Sequence, residues 1–254
     1  MIVCSNGLNI FIIKKQTMQQ FQFNIQAKGG AGKSMLTYLQ ALQQQGNQRS
    51  YFVDFDSSVK SSCQQLKFLQ GKTPSRFATM SLLDSREKLD RQLLFENLLQ
   101  LSQKDYDCFY LDFGAPESDQ LPSLFSKDYT IEEFKEIQDA LDARFVFNIV
   151  IAGGSAYEPC TYYLQKISLL NKGTFTMNLY INEGTFSSTP ELIRELLAFG
   201  QTEENQVNTV KLYGDFDSTT APHKSILQKI SEGKGLEAYE FIEKIKIQKE
   251  LSKI

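Results

Sequence analysis

Nine consecutive residues near the start of the chain carry the groups that a phosphate-binding loop requires. They read Gln-Ala-Lys-Gly-Gly-Ala-Gly-Lys-Ser and span residues 26–34. Glycines let backbone N–H groups turn towards phosphate oxygens, while a lysine and a hydroxyl at the end of such a loop bind the β- and γ-phosphates and Mg²⁺. We therefore predict a nucleotide site in which Lys33 contacts phosphate and Ser34 ligates Mg²⁺. The loop backbone around the phosphates is predicted to comprise Gly29, Gly30, Ala31 and Gly32.

Carboxylates follow two apolar runs further along the chain. Asp54 and Asp56 come after the run at 51–53, and Asp112 ends the run at 108–111. Acids at the carboxyl end of a strand lie where α/β sheets bind ligands. We predict that Asp112 holds Mg²⁺ through water, because the small residues after it leave room for a γ-phosphate. Acids that merely end a strand are the alternative for Asp54 and Asp56.

The loop lies between a predicted strand and a predicted helix. The strand is the aromatic-rich run at 21–25, and apolar residues recur at helical spacing over 35–45. Gly46 then supplies a helix stop. The positive end of this helix faces the loop, so it would also face a bound anion. This context favours a nucleotide site over the alternative, a glycine turn without a ligand.

The rest of the chain alternates between predicted strands and predicted helices. Further strands are expected near 50–54, 106–112, 145–152, 175–181 and 207–212, and helices at 89–101, 117–144, 164–170 and 236–251. Such alternation is typical of a sheet whose parallel strands are connected by helices on its two faces. We therefore predict an α/β three-layer sandwich with a mostly parallel central sheet.

The predicted C-terminal helix raises the question of membrane binding. Apolar residues fall on one of its sides, namely Ala238, Tyr239, Phe241, Ile242 and Ile245. Glutamates alternate with lysines elsewhere along the helix, whereas membrane-surface helices are usually richer in basic residues. We therefore expect this apolar side to dock on the protein, and we do not expect membrane binding.

Length and composition predict one globular domain. The 254 residues are 41% hydrophobic and 22% charged, with a net charge of −3, which argues against a protein built mainly to coat nucleic acid. The four cysteines lie far apart and the chain has one histidine, so a zinc site is not expected. Cytoplasm is the expected location. We predict a single domain over 18–254, and two interpretations of 1–17 stay open: a segment preceding a natural start at Met18, or an extra edge strand.

The loop departs from the strict phosphate-loop pattern in a particular way. Ala27 stands where that pattern has glycine, and Lys28 is an additional lysine. The sequence Lys-Gly-Gly-x-Gly-Lys-Ser resembles the deviant P-loop of the ParA/MinD group of ATPases. This resemblance implies that Lys28 reaches the phosphates of the nucleotide held by a partner subunit, which would make it a cofactor-binding and catalytic residue.

The same resemblance assigns roles to the first pair of acids. The ParA/MinD group carries Asp-x-Asp at the end of the second strand, as this chain does with Asp54 and Asp56. It implies that Asp56 lies beside the attacking water and that Asp54 supports the Mg²⁺ region. This chain continues with Ser57-Ser58, whereas members of the group often continue with proline.

Motifs further along the chain narrow the resemblance to one branch of the ParA-like ATPases. Asp-Phe-Gly-Ala at 112–115, a strand ending in Gly153-Gly154 and a strand ending in Asn182-Glu183 follow the P-loop in that order. Over residues 20–220 this order resembles the plasmid-stability and conjugal-transfer branch, the StbB/TraL type. An asparagine at this place contacts adenine in the wider group, so Asn182 is expected to bind the base; a simple turn residue is the alternative.

The resemblance implies a MgATP-binding hydrolase that cleaves the β–γ bond slowly. ATP would drive homodimerisation and hydrolysis would reset it, in partition, stability or transfer of a plasmid or conjugative element. A partner protein of such a system is expected, and non-specific DNA binding stays open. Two other classes remain: a small-molecule kinase or synthetase, and a nucleotide-binding scaffold that does not hydrolyse.

Overall fold

The computed structural model describes residues 18–55, 61–71, 74–86 and 90–254. Its strands are β1 (Gln19–Ile25), β2 (Ser50–Asp54), β3 (Phe77–Thr79), β4 (Cys108–Asp112), β5 (Ala143–Ile151), β6 (Thr176–Asn182) and β7 (Thr209–Tyr213). Within the described residues they form a seven-stranded sheet in the order β3-β2-β4-β1-β5-β6-β7, and every neighbouring pair is parallel. The segment 1–17 and Asp56 lie outside the described residues.

Helices connect these strands and cover the sheet. They are α1 (Lys33–Gln43), α2 (Ser61–Gln65), α3 (Gln92–Ser102), α4 (Ala115–Ser123), α5 (Ile131–Ala140), α6 (Tyr157–Asn171), α7 (Glu191–Gln201), α8 (Ala221–Ser231) and α9 (Phe241–Leu251). Helix α1 packs on β1 and β4 and is flanked by α2 and α9. Helix α5 packs on the opposite face, where Phe134 contacts Phe145 of β5. The predicted three-layer sandwich is confirmed.

Strand β1 shows why the two faces of the sheet differ. Its sequence alternates between amides and apolar residues, and successive side chains of a strand point to opposite faces. On one face Phe21 stacks on Phe109, with ring centroids 4.7 Å apart, and Phe23 contacts Phe147 at 5.2 Å. This aromatic layer lies under α5. The amide side chains of Gln20, Gln22 and Asn24 project to the other face, under α1.

A row of polar residues crosses the sheet on the α1 side. Strand register places them at one level: Thr79, Asp54, Asp112, Asn24, Asn148, Asn178 and Thr209. In this polar row, Asn148 donates to Asn24 and Asn178 donates to Asn148, each at 3.0 Å. Asn24 in turn donates to Thr37 at 2.8 Å and Gln40 at 2.7 Å, both on α1. Directional bonds therefore fix the position of α1 along the sheet.

The segment predicted as helical over 117–144 contains the α-helices α4 and α5 with a π-helical turn (Leu124–Asp128) between them, and its last two residues belong to β5. A capping box starts α5, because the side chain of Thr130 accepts the backbone N–H of Glu133 and the side chain of Glu133 accepts that of Thr130. Satisfying two free N–H groups in this way starts a helix, and Thr-x-x-Glu is a recognised signal for it. The face of α5 that packs on the sheet includes the buried residues Ile131 and Phe134.

The predicted docking face of the C-terminal helix is wrong. The helix begins at Phe241 and not near Leu236, and Phe241, Ile242 and Ile245 are exposed by 75%, 55% and 51%. Tyr239 is buried, but it precedes the helix. A capping box at Glu240 starts the helix, and the positions buried within it are Glu243, Ile247 and Glu250.

Among the described residues, no helix is both long enough and apolar enough to cross a bilayer.

Candidate nucleotide-binding site

The glycine-rich loop lies at the point where the strand order reverses. Strand β1 has β4 on one side and β5 on the other, and the loop joins its carboxyl end to α1. In open parallel sheets this reversal opens a crevice beyond the carboxyl ends of the strands, and ligands bind there. The fold therefore puts the predicted loop at the position that a ligand site requires.

Positive backbone angles shape the loop. Gly30 has φ of 77° and Gly32 has φ of 105°, both in the region that favours glycine. A Cβ atom on Gly32 would come within 2.5 Å of Asn182 Nδ2. Conformation and space therefore both require glycine at position 32, immediately before α1.

Lys33 lies across the loop. Its side chain is buried, and Nζ donates to the backbone carbonyl of Gln26 at 2.8 Å. This bond links the end of the loop to its first residue, so the ammonium lies inside the turn. An ammonium group carries three N–H donors, which suits it to binding phosphate oxygens there.

Ser34 and Asp112 form the centre of the predicted metal site. The Ser34 hydroxyl donates to Asp112 Oδ2 at 2.7 Å, and Asp112 is buried at the end of β4. Hydroxyl and carboxylate oxygens are the donors that Mg²⁺ prefers, and this ion takes few protein ligands and fills its shell with water and phosphate. The described residues contain no group of three or more His, Cys, Asp or Glu that could hold a metal. One hydroxyl and one carboxylate fit Mg²⁺ bound together with a nucleotide.

Asp54 lies level with Asp112 on the neighbouring strand. Register pairs the two residues, and Asp54 is fully buried. Its Oδ2 accepts the backbone N–H of Cys63 at 2.7 Å, which ties the first turns of α2 to the end of β2. The structure thus brings Asp54 to the metal side of the loop. The role predicted for Asp56 stays a prediction because that residue is outside the described part of the chain.

The first part of the loop faces solvent. Lys28, Gly29 and Gly30 are exposed, whereas Ala31 is fully buried. The backbone N–H of Lys28 donates to Gln26 Oε1 at 3.2 Å. The extra lysine therefore lies on the open side of the loop, away from the buried Lys33.

Gln26, the first residue of the motif, makes structural contacts that the motif did not predict. It is fully buried, its Nε2 donates to the carbonyl of Val150 at 2.7 Å, and its backbone N–H donates to Ser118 Oγ at 3.2 Å. The Gln26 side-chain oxygen accepts the backbone N–H of Lys28, and the Gln26 backbone carbonyl accepts a hydrogen bond from Lys33 Nζ. Gln26 therefore joins the loop to β5 and α4. The available signal was an amide at the end of an apolar strand, where a buried polar group needs partners.

Asn182 and Tyr213 approach the loop from the ends of β6 and β7. Asn182 Nδ2 donates to the carbonyl of Ala31, and the Tyr213 hydroxyl donates to that of Gly32, each at 3.1 Å. Burial raises the pKa of Tyr213 well above its ordinary value, so the hydroxyl stays a proton donor. Sequence reasoning singled out Asn182 but missed Tyr213, whose only local signal is its position before Gly214 at a strand end.

Comparisons of sequence and of structure give different results. No family model matches the sequence, and no curated protein matches it. Among solved structures, a chain of the MinC:MinD cell division protein complex of Aquifex aeolicus matches with a TM-score of 0.50, 9% identity and coverage of 92% of this chain and 94% of that one. A plasmid partition protein from Borrelia burgdorferi gives 0.48 at 15% identity over 85% and 97% of the two chains. The nucleotide-binding protein of Archaeoglobus fulgidus, in complex with ADP, gives 0.44 at 14% over 89% and 90%.

The all-parallel sheet, its order and the β1–loop–α1 unit define a P-loop NTPase fold. The match to a chain of the MinC:MinD complex extends over most of both chains. The chain therefore has the MinD/ParA type of P-loop fold, as the sequence motifs predicted, and at 9% identity the likeness is one of fold.

Proposed function

We propose that this protein is a MgATP hydrolase of the ParA/MinD type. One observation carries the proposal: the Ser34 hydroxyl and the Asp112 carboxylate lie 2.7 Å apart at the start of α1, directly after the buried Lys33. Phosphate and Mg²⁺ need a cation, a hydroxyl and a carboxylate in this arrangement. The glycine loop supplies backbone N–H groups beside them.

The chain's own residues then divide the work of phosphoryl transfer. Lys33 and the loop N–H groups bind the phosphates, while Ser34 and Asp112 hold Mg²⁺, which neutralises charge on the β- and γ-phosphates when it is bound. Asp56 orients water for attack and Asp54 supports the Mg²⁺ region, as the ParA/MinD resemblance implies. Catalysis would consist of positioning and electrostatic stabilisation.

ATP binding is proposed to control dimerisation. Lys28 is exposed on the open side of the loop, where it is accessible to a second subunit. A lysine supplied in trans would add charge to the other subunit's nucleotide only when two loaded faces meet. We further propose a cytoplasmic role in plasmid or conjugative-element partition, stability or transfer, together with a partner protein; a MinD structure in complex with MinC supports the idea of a partner.

The first experiment tests nucleotide binding. Lys33→Ala should weaken ATP affinity strongly, because loss of a charge-assisted contact costs roughly 1.5–3 kcal/mol, about ten- to hundredfold. Calorimetric titration of purified protein with ATP and Mg²⁺ measures it. Lys166→Ala is the control, since Lys166 is an exposed lysine on α6, away from the loop. Equal affinity of Lys33→Ala and wild type would refute the phosphate-loop assignment, and binding without phosphate release would indicate a non-hydrolysing scaffold.

The second experiment tests trans action by mixing two inactive variants. Lys28→Ala should bind ATP yet fail to dimerise and hydrolyse, whereas Asp56→Ala should bind ATP and lose hydrolysis. In a mixed dimer, one composite site would then hold both intact residues and the other would hold neither. Phosphate release should recover partly on mixing. No recovery, with mixed dimers demonstrated by sizing in a non-hydrolysable ATP analogue, would contradict the trans arrangement.

A further inference from the structure

Two strand ends hold consecutive peptide groups of the phosphate loop. Asn182, the last residue of β6, binds the Ala31 carbonyl, and Tyr213, the last residue of β7, binds the Gly32 carbonyl. Both side chains are buried, Asn182 at 4% exposure and Tyr213 at 0%. Each is more than 150 residues away from the loop in sequence. The two contacts therefore depend on the assembled sheet.

Peptide geometry relates these carbonyls to phosphate binding. In a planar trans peptide the C=O and the following N–H point in opposite directions. When the Ala31 carbonyl is held away from the phosphate side of the loop, the Gly32 N–H points towards that side. When the Gly32 carbonyl is held in the same way, the Lys33 N–H points towards the phosphate side. The Gly32 carbonyl also accepts the first helical bond from Leu36, at 2.9 Å, so it is held from two directions.

Close packing leaves this arrangement little freedom. A Cβ on Gly32 would lie 2.5 Å from Asn182 Nδ2 and 2.8 Å from the Tyr213 hydroxyl. A Cβ on Gly214 would lie 2.8 Å from Asn182 Oδ1. The Asn182 amide is thus enclosed between two glycines, and its donor is already bonded to the loop.

We propose that Asn182 and Tyr213 are positioning residues that orient the Gly32 and Lys33 N–H groups towards phosphate, so that Asn182 acts through the loop and not by reading the base. The proposal rests on the proposed nucleotide-binding function. Hydrogen bonds that preorganise a loop raise affinity by at most the free energy that they contribute to its competent conformation. One neutral bond corresponds to roughly a two- to tenfold change in affinity.

The test compares ligands with and without a base. Tyr213→Phe and Asn182→Ala would be titrated with ATP, GTP and inorganic tripolyphosphate, each with Mg²⁺. Affinity for all three should fall by the same factor, roughly two- to tenfold for Tyr213→Phe. A loss for ATP alone, with tripolyphosphate affinity unchanged, would assign Asn182 to base recognition and overturn the proposal.

Tyr38→Phe is the matched control. Its buried hydroxyl bonds to the Lys234 carbonyl and to Tyr239, away from the loop, so its removal should lower the melting temperature without changing tripolyphosphate affinity. If Tyr213→Phe has a lower melting temperature but the same tripolyphosphate affinity as the wild type, Tyr213 has only a structural role and the proposal is refuted. Wild-type protein that binds none of the three ligands would refute the proposed function and this inference together. If the wild type binds the ligands, and Tyr213→Phe and Asn182→Ala bind them with the same affinity as the wild type, this inference alone would be refuted.

Discussion

Replacing Asn24 by alanine should destabilise the protein far more than its size suggests. Asn24 is fully buried in the polar row between the sheet and α1. It donates to Thr37 and Gln40 at 2.8 and 2.7 Å and accepts from Asn148 at 3.0 Å. The substitution removes three hydrogen bonds and the direct polar link between β1 and the helix that carries Lys33.

The expected loss follows from counting these bonds. Each contributes about 1 kcal/mol, and a buried partner left without its bond adds a further cost of about 1–3 kcal/mol. Asn148 keeps a second acceptor in Gln22 at 2.9 Å, and Thr37 keeps the Lys33 carbonyl at 3.1 Å, so the larger penalty does not apply at every group. We expect a total of roughly 3–5 kcal/mol, or a melting temperature lower by roughly 6–20 °C.

Denaturant unfolding followed by far-ultraviolet circular dichroism measures this loss, and two variants make it specific. Gln22→Ala removes one partly exposed acceptor of Asn148, outside the polar row, and should cost at most about 1 kcal/mol. Asn24→Leu keeps the branched shape of the side chain and fills the space, so it would restore stability if the loss came only from a cavity. If Asn24→Leu unfolds at the same denaturant midpoint as the wild type, directional hydrogen bonds do not hold α1 on the sheet, and the predicted role of Asn24 is refuted.

Three other predictions concern the metal site, a buried cation and alkaline pH. Asp112→Ala should keep ATP binding in EDTA but lose the gain in affinity that Mg²⁺ gives, and an unchanged gain in calorimetric titrations would remove Asp112 from the metal site. Arg76→Ala should lower the free energy of unfolding by about 2 kcal/mol in urea titrations. The reason is that the buried Arg76 guanidinium caps the end of α1 by donating to the backbone carbonyls of Gln44, Gln45 and Asn47. A loss below about 0.5 kcal/mol would count against this capping role. Burial raises the pKa of Tyr213 and of Tyr163 well above the ordinary value, so the folded state holds these protons more tightly than the unfolded state does. Stability should be full below about pH 10 and fall as pH rises above it, as measured by urea midpoints and tyrosinate absorbance, and constant midpoints up to pH 11 would contradict this.

The sequence alone determined the local units of the fold. The spacing of apolar residues predicted β1, α1, β2, β4, β5, β6 and β7 close to their observed bounds. The loop motif predicted the glycine turn between β1 and α1, and the run before Asp112 predicted its place at a strand end. These predictions succeed because backbone periodicity and glycine conformation are set by neighbouring residues. The ligand roles of Lys33, Ser34 and Asp112 stay predictions, as do the roles of Lys28, Asp54 and Asp56, which come from resemblance.

Only the tertiary structure decided which distant side chains meet. Gln26 reaches Val150, and Tyr213 reaches Gly32, across 124 and 181 residues of sequence. Strand order and register set such contacts, and they depend on the packing of the whole sheet. The C-terminal helix shows the same limit. Its apolar side was visible in sequence, but tertiary packing leaves Phe241 exposed and buries Ile247. Apolar spacing defines a face of a helix, whereas the core it meets decides which face is buried.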